Sequence, residues 1–346
     1  METKLWVVDN FTNEKDIYPQ IEEAADLLRN HEVVAFPTET VYGLGGDATS
    51  DKAVDKIFAA KGRPSDNPLI VHIGDKEQLH TFVESIPSKA EKVIDAFWPG
   101  PLTVILPKKD RVSDKVTAGL NSIAVRMPSH PVALALLKKV ALPIAAPSAN
   151  LSGKPSPTLA HHVMNDLEGR ISGVVDGGAT GVGVESTVLD CTEEIPIILR
   201  PGGITQKELE NVIGPVKVDR ALLSDKEAPK SPGMKYTHYA PDAPLVIVDG
   251  SSDFFQSIIN RYKDQGKRVG VLTTSEHEDA YKADAVITCG SRSNLETVAS
   301  HLYESLRSFN ECDVDVIVSE SFSEEGVGHA VMNRLMKAAG HHVIKQ

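Results

Sequence analysis

Cysteine is scarce in this chain. The three present, Cys191, Cys289 and Cys312, are far apart, odd in number and free of metal-ligand spacing. That pattern excludes a disulfide framework and a zinc cluster, and it points to buried thiols in a reducing cytoplasm. No apolar run approaches the length that spans a bilayer. The opening Met1-Glu2-Thr3-Lys4-Leu5-Trp6 lacks the basic and then apolar segments of a secretory leader. The expectation is therefore a cytoplasmic protein without a membrane role. Positive charge is also short: 36 Lys and Arg stand against 48 Asp and Glu, a net charge of −12. A dedicated nucleic-acid binder must neutralise phosphates, so this balance counts against one while leaving room for a local basic pocket. Neither a Walker loop nor a GxGxxG occurs. No histidine neighbours Ser148 in sequence, so a nucleophilic serine there has no support.

What is present suits a two-domain enzyme. The chain has 346 residues, and 41% of them are hydrophobic, enough for a sizeable core. Short apolar runs at 4–8, 32–36, 69–73, 102–106, 122–126, 142–146, 172–175, 186–190 and 196–199 read as strands. Helical stretches lie between many of them, near 21–28, 51–61, 76–84, 88–97, 131–140 and 158–168. Thr205 and Glu208 have capping-box spacing for one more. Strands and helices without strict alternation predict an α/β fold with a mixed, twisted sheet over residues 1–217. Residues 218–244 are polar, aperiodic and proline-bounded, and read as a linker. From 245 to 346 the β-α units become regular, with a capping box at Ser293 and Glu296 and helices near 252–264, 276–282 and 328–339. These predict a smaller, parallel, Rossmann-like α/β domain. Its strand-to-helix loops lack a dinucleotide fingerprint, so no cofactor is assigned to it.

Candidate chemistry clusters at strand ends. Thr38-Glu39-Thr40-Val41-Tyr42-Gly43-Leu44-Gly45 follows the strand at 32–36. It reads either as an ordinary strand-to-helix loop or as a ligand loop, with hydroxyls as donors and glycines allowing close approach. Lys61 and Arg63 sit at a helix end, where cations either cap the dipole or clamp a polyphosphate. His72 is either a hydrogen-bonded core histidine or a site residue. Arg126 closes a strand and makes either a structural ion pair or a bidentate carboxylate contact. Ala146-Pro147-Ser148-Ala149-Asn150 ends another strand, where open sheets place ligands. Ser156, Ser186 and Arg200 stand at the margins of other runs. Several cations and hydroxyls without a nucleophile or metal cluster suit a reaction driven by positioning and charge stabilisation, as in attack on a nucleotide phosphate.

The ordered series PTETVYGLG, KGRPSDNPL, VHI, WPGPLT, AVRMP, APSANLSG, GVEST and ILRPGGI resembles the YrdC-like domain of threonylcarbamoyl-AMP synthases. SPGMKYTHYAP followed by a small α/β domain resembles the longer, two-domain form of that family. The resemblance implies a nucleotidyltransferase that converts L-threonine, bicarbonate and ATP to L-threonylcarbamoyladenylate, pyrophosphate and water, for N6-threonylcarbamoyladenosine in tRNA. It implies that Thr40, His72, Arg126, Ala146 and Ser186 line a threonine pocket. It assigns ATP to Lys61, Arg63, Asn67, Ser122, Ser148, Asn150, Ser156 and Arg200, with Lys61 and Arg63 stabilising charge in the reaction. Tyr236, His238 and Tyr239 are expected to reach over the cleft as a lid. Mg2+ would arrive bound to the nucleotide, with no metal site on the protein. Weak RNA or tRNA binding and handover to a downstream threonylcarbamoyl transferase fit the same picture. Two rival readings use the same basic cleft. One is an enzyme making a carbamoyl adenylate, against which the lack of Cys-x-x-Cys pairs counts; the other is an RNA-binding module.

Overall fold

Apolar spacing decides which face of each helix is buried. The computed structural model describes residues 2–8, 18–65, 67–219 and 238–346. It divides into two units, one of Met1–Ser152, Pro157–Gly181 and Glu185–Lys235, the other of Gly153–Ser156, Val182–Val184 and Tyr236–Gln346. Of the expected linker, residues 220–237, Tyr236 among them, lie outside the described residues.

The first unit runs, in chain order, β1 (Lys4–Val7), α1 (Pro19–Arg29), β2 (Val34–Phe36), β3 (Gly43–Asp47), α2 (Asp51–Lys61), β4 (Ile70–His72), α3 (Leu79–Phe82), α4 (Ser88–Phe97), β5 (Leu102–Pro107), α5 (Asp114–Thr117), β6 (Ser122–Arg126), α6 (Pro131–Val140), β7 (Ile144–Ala145), α7 (Ala160–Leu167), β8 (Gly173–Asp176), β9 (Thr187–Asp190), β10 (Ile197–Arg200), α8 (Gln206–Ile213) and β11 (Lys217–Val218). Among the described residues the strands form one mixed sheet in the order β1-β8-β2-β3-β7-β4-β6-β5-β9-β10-β11. Helix α1 buries Ile21, Ala24, Ala25 and Leu28, the stripe its spacing predicts. Ser50 caps α2 by accepting from Ala53 N, and Gly62 ends it at φ 60°, a conformation that glycine adopts without strain. The capping box of Thr205 and Glu208 starts α8 as expected.

Two expectations are corrected here. The glycine-rich segment after Pro37 is a turn and then strand β3, antiparallel to β2 and β7. Glycine is poor in strands, yet a Cβ on Gly45 would stand 2.7 Å from Phe36 Cε1 and 2.9 Å from Ile144 Cγ2. The close approach of these chains therefore requires glycine. The stretch near 76–84 is a 3-10 turn at Lys76–Gln78 followed by the four residues of α3.

Register gives the centre of the sheet two unlike faces. Ile70 pairs with Ala124 and His72 with Arg126 across β4 and β6. Ile105 pairs with Ala124 across β5 and β6, Thr103 with Val188 across β5 and β9, and Val188 with Arg200 across β9 and β10. Alternation thus puts Ile70, His72, Ser122, Ala124, Arg126, Thr103, Ile105 and Val188 on one face, and a register shift between Ile198 and Arg200 brings Arg200 opposite Val188. The other face presents Val71, Val104, Leu106, Ile123, Val125 and Leu189 to the main hydrophobic core. Burying each of those side chains contributes roughly 1.5–3 kcal/mol. The first face holds only a small apolar cluster around Ile70, Ile105, Ala124, Val188 and Leu199.

The second unit contains β12 (Leu245–Asp249), α9 (Ser252–Asp264), β13 (Val269–Thr273), β14 (Ala285–Thr288), α10 (Leu295–Ser308), β15 (Val316–Glu320), α11 (Gly328–Ala338) and β16 (Val343–Lys345). Its five described strands form a parallel sheet in the order β14-β13-β15-β12-β16. The cap of α10 is Asn294, which accepts from Glu296 N, so the start is one residue later than the Ser293 box predicts. The helix expected over 276–282 is a 3-10 turn at Ser275–His277. Thr273, His277, Tyr281 and Arg292 all donate to the buried carboxylate of Glu320. Burial opposes its ionisation, but these donors outweigh that effect and hold its pKa below the ordinary value. Cys191 and Cys289 are buried thiols, each pushed up to about 12 by burial. Cys312 is only half-buried, a correction to the expectation of three buried thiols.

Candidate functional site

The polar face of the first sheet gathers buried charge. Arg126 is 4% exposed and Arg200 5%, in a position where an unpaired charge would cost several kcal/mol. Each is paired accordingly. Arg126 Nη1 donates to Thr40 Oγ1 at 2.8 Å, Nε donates to Gly100 O at 3.3 Å, and Nη2 lies 2.8 Å from Glu39 Oε1. The turn Thr38–Val41 makes the first of these contacts possible. Thr38 Oγ1 donates to Val41 O at 2.6 Å, and Thr38 and Thr40 share a hydroxyl bond at 2.9 Å. Arg200 Nε and Nη2 donate to Ser186 O at 3.1 and 3.0 Å, and Nη2 also reaches Ser186 Oγ at 3.1 Å. Ser186 Oγ shares a 2.8 Å bond with Thr103 Oγ1.

His72 lies beside Arg126 by register, with the Phe36 ring meeting it edge-on at 6.2 Å between centroids. Its Nδ1 is 3.3 Å from Ile70 O. A carbonyl only accepts, so Nδ1 carries the proton and Nε2 is left as an acceptor. Burial, reinforced by the Arg126 charge, pushes the imidazole pKa down to about 3. The ring is neutral at physiological pH.

A second group forms where α2 ends. Lys61 Nζ donates to Ser148 O at 2.5 Å, Asn150 O at 2.8 Å and Asn150 Oδ1 at 3.4 Å. Ser152 N returns a bond to Lys61 O. Burial and the Arg63 charge draw the lysine pKa well down, against Asp166 and Glu185. Asn67 is buried, and its Nδ2 meets no acceptor among the described residues. Arg63 is half-buried just past the helix.

The remaining candidates fall on other elements. Ser122 opens β6 opposite Pro107, while Arg126 closes the strand four residues on, roughly 13 Å away along an extended chain. Ala146 follows β7 and donates its N–H to Ile70 O. Ser156, His238 and Tyr239 belong to the second unit. There the Tyr239 ring, held at φ 66°, stacks on Tyr303 at 5.2 Å with Arg334 above it at 5.9 Å. Glu39 and Thr103, which the sequence reading did not single out, join the site. Thr103 ends the WPGPLT stretch, to which the sequence reading gave no role. Glu39 sits inside the threonine stretch, where only hydroxyls drew notice. A surface depression of about 490 Å3 lined by Thr49, His80, Phe82, Lys109, Arg111 and Pro143 shares no residue with this site.

Chemically, the arrangement offers a buried guanidinium for a carboxylate, a neutral imidazole acceptor for a hydroxyl, and a cationic helix end beside an Asn and Ser loop. Among the described residues no group of three or more His, Cys, Asp or Glu converges.

Comparison with known proteins agrees with this picture. The family model described as Telomere recombination (Sua5_yciO_yrdC) matches residues 26–202, and the one described as Threonylcarbamoyl-AMP synthase, C-terminal domain, matches 204–340. The Threonylcarbamoyl-AMP synthase of Bacillus subtilis (strain 168) is 60% identical over 100% of both chains. That of Pyrococcus abyssi (strain GE5 / Orsay) is 48% identical over 94% of this chain and 96% of its own. The crystal structure of P. abyssi Sua5 complexed with L-threonine superposes with a TM-score of 0.92 at 47% identity, covering 99% of this chain and 100% of the other.

Proposed function

The chain belongs to the threonylcarbamoyl-AMP synthase family, and from that premise we propose how its site performs the reaction. The protein is a nucleotidyltransferase that makes L-threonylcarbamoyladenylate. It takes L-threonine, ATP and, we infer, bicarbonate, and the product serves N6-threonylcarbamoyladenosine formation in tRNA. The observation that carries the reading is the buried Arg126–Thr40 pair beside a neutral His72, on the sheet face that carries the smaller apolar cluster.

In this proposal Arg126 binds the threonine carboxylate, whose two oxygens match the guanidinium fork. His72 Nε2 accepts the hydroxyl proton of the substrate side chain, while Ser186 and Thr40 border the pocket. The amine captures the one-carbon unit as a carbamate. A carbamate oxygen then attacks the α-phosphate, and pyrophosphate leaves. Lys61, Arg63 and Arg200 stabilise charge on the phosphates. Lys61 exchanges a carbonyl acceptor for a phosphate oxygen as it does so. Asn67, Ser148 and Asn150 position the nucleotide, and a site that excludes water protects the carbamate. Mg2+ would ride on the triphosphate and neutralise part of its charge.

The test is incubation with ATP, L-threonine and bicarbonate, scoring pyrophosphate release and adenylate formation while omitting each in turn. Release that persists without L-threonine would end this reading.

A further inference from the structure

We infer that Glu39 binds the α-amino group of the amino acid and takes the proton that the amine sheds, a role that rests on the reading of the site given above. Its side chain is 13% exposed. Both carboxylate oxygens are shielded from solvent, and neither accepts a hydrogen bond among the described residues. The approach of Arg126 Nη2 to Oε1, at 2.8 Å, is an ion pair without hydrogen-bond alignment: Nη2 too makes no hydrogen bond. The main chain is fixed, since Glu39 O accepts from Gly181 N at 3.1 Å. A carboxylate withdrawn from water without a donor is costly, and native proteins leave few such groups unexplained.

A residue whose purpose was to hold Arg126 would be expected to meet it with an aligned, charge-assisted bond, as Thr40 does with its neutral hydroxyl. The ligand that satisfies both groups carries a cationic donor immediately beside an anion. An α-amino acid zwitterion has that form. Its carboxylate goes to Arg126 and its ammonium to Glu39. A hydroxy acid of the same shape satisfies only the first.

The same contact places a base on the nitrogen that must become a nucleophile. The ammonium and bicarbonate give a carbamate, water and one proton. A nitrogen–carbon bond forms and a carbon–oxygen bond of bicarbonate breaks. The nitrogen gives up two of its three protons. One leaves in the water with the departing hydroxide, and the other passes to the Glu39 carboxylate. The charged or titratable groups whose fields reach this pair are Arg126 on β6, His130 before α6, and His72 on β4 through Arg126. Burial lowers the pKa of both histidines, so neither competes for the proton near neutral pH.

The experiment compares the full-length protein with E39Q and E39D. Calorimetry measures binding of L-threonine, of its deamino analogue 3-hydroxybutyrate, and of ATP. E39Q should weaken L-threonine roughly tenfold or more, a charged hydrogen bond being worth about 1.5–3 kcal/mol. It should leave 3-hydroxybutyrate and ATP within about twofold, while E39D keeps the preference for the amine. Equal weakening of threonine and its deamino analogue would mean that Glu39 serves Arg126 alone, and would overturn the assignment, as would no weakening at all. For the proton, kcat/KM of E39Q should climb with pH between 7 and 9 as free amine appears, while the wild type stays flatter. A profile for E39Q identical to that of the wild type would also overturn it. Failure of the wild type to bind L-threonine is a different result, one that removes the reading of the site itself.

Discussion

Lys61 donates from Nζ to the main-chain carbonyl of Asn150 at 2.8 Å, across 89 residues of sequence. With Ser148 O and Asn150 Oδ1 as further acceptors, one ammonium fixes the whole loop after β7. Lys61→Met would strand those carbonyls and remove a phosphate-stabilising charge. Adenylate formation in a single turnover should fall on the order of a hundredfold to a thousandfold. A variant with normal turnover would show that the lysine is only scaffolding.

Arg126 offers a planar fork, and lysine cannot replace it. Arg126→Lys keeps the charge but loses the bonds to Thr40 and Gly100. L-threonine affinity should drop roughly tenfold to a hundredfold, at about 1.5–3 kcal/mol per charged hydrogen bond. ATP affinity, measured in the same titration series, should hold. Parallel loss of both ligands would contradict the assignment.

His72 should not titrate in the native state between pH 5 and 8, which ring resonances in an NMR pH series will show. The sign of its effect on stability follows from its lowered folded pKa. The folded state favours the neutral ring, so the contribution is intact above the unfolded value near 6.5. It is lost progressively as pH falls from there towards about 3. His72→Gln should therefore flatten part of the acid-side loss of stability in denaturant melts. An unchanged acid slope would argue against a buried neutral ring.

Ser186 and Gly202 should separate anchoring from packing. Ser186→Ala removes the bonds to Thr103 and to one nitrogen of Arg200, while the Ser186 carbonyl still holds the guanidinium. ATP affinity should change less than about fivefold, because the guanidinium keeps both its bonds to the Ser186 carbonyl. Gly202→Ala is different in kind. Its Cβ would sit 2.3 Å from Glu185 O and Thr187 N, main-chain atoms that cannot step aside. That variant should lose Arg200's position and destabilise the protein by about 1–3 kcal/mol, read as a shifted melt and raised KM for ATP. Wild-type behaviour of Gly202→Ala would refute the close approach.

Helices were the most legible part of the sequence. The stripe of α1 and the Thr205–Glu208 box each follow from local chemistry and stand where expected. Strand β3 was not legible, because three of its five residues are glycines and the nearness of Phe36 and Ile144 that requires Gly45 is tertiary. Asn294 replaced Ser293 as a cap because both are good caps one residue apart, and local pattern does not choose between them. For the site, residue types pointed to phosphate and carboxylate recognition. What brings Thr40 onto Arg126, or Ser186 onto Arg200, is register between distant strands. No short window of sequence contains it. Glu39 illustrates the limit: its importance lies in a missing donor, and a missing donor is visible only in three dimensions.

The strand order of the first sheet has a consequence for a chain still leaving the ribosome. Neighbours β1 and β8, or β2 and β8, pair across most of the unit's length, and the groups around Arg126 and Arg200 come from segments as far apart as Thr40 and Ser186. No amino-terminal fragment can present half a workplace. Synthesis should yield nothing able to grip its reactants until residue 200 has emerged, and competence should then arrive in one cooperative event.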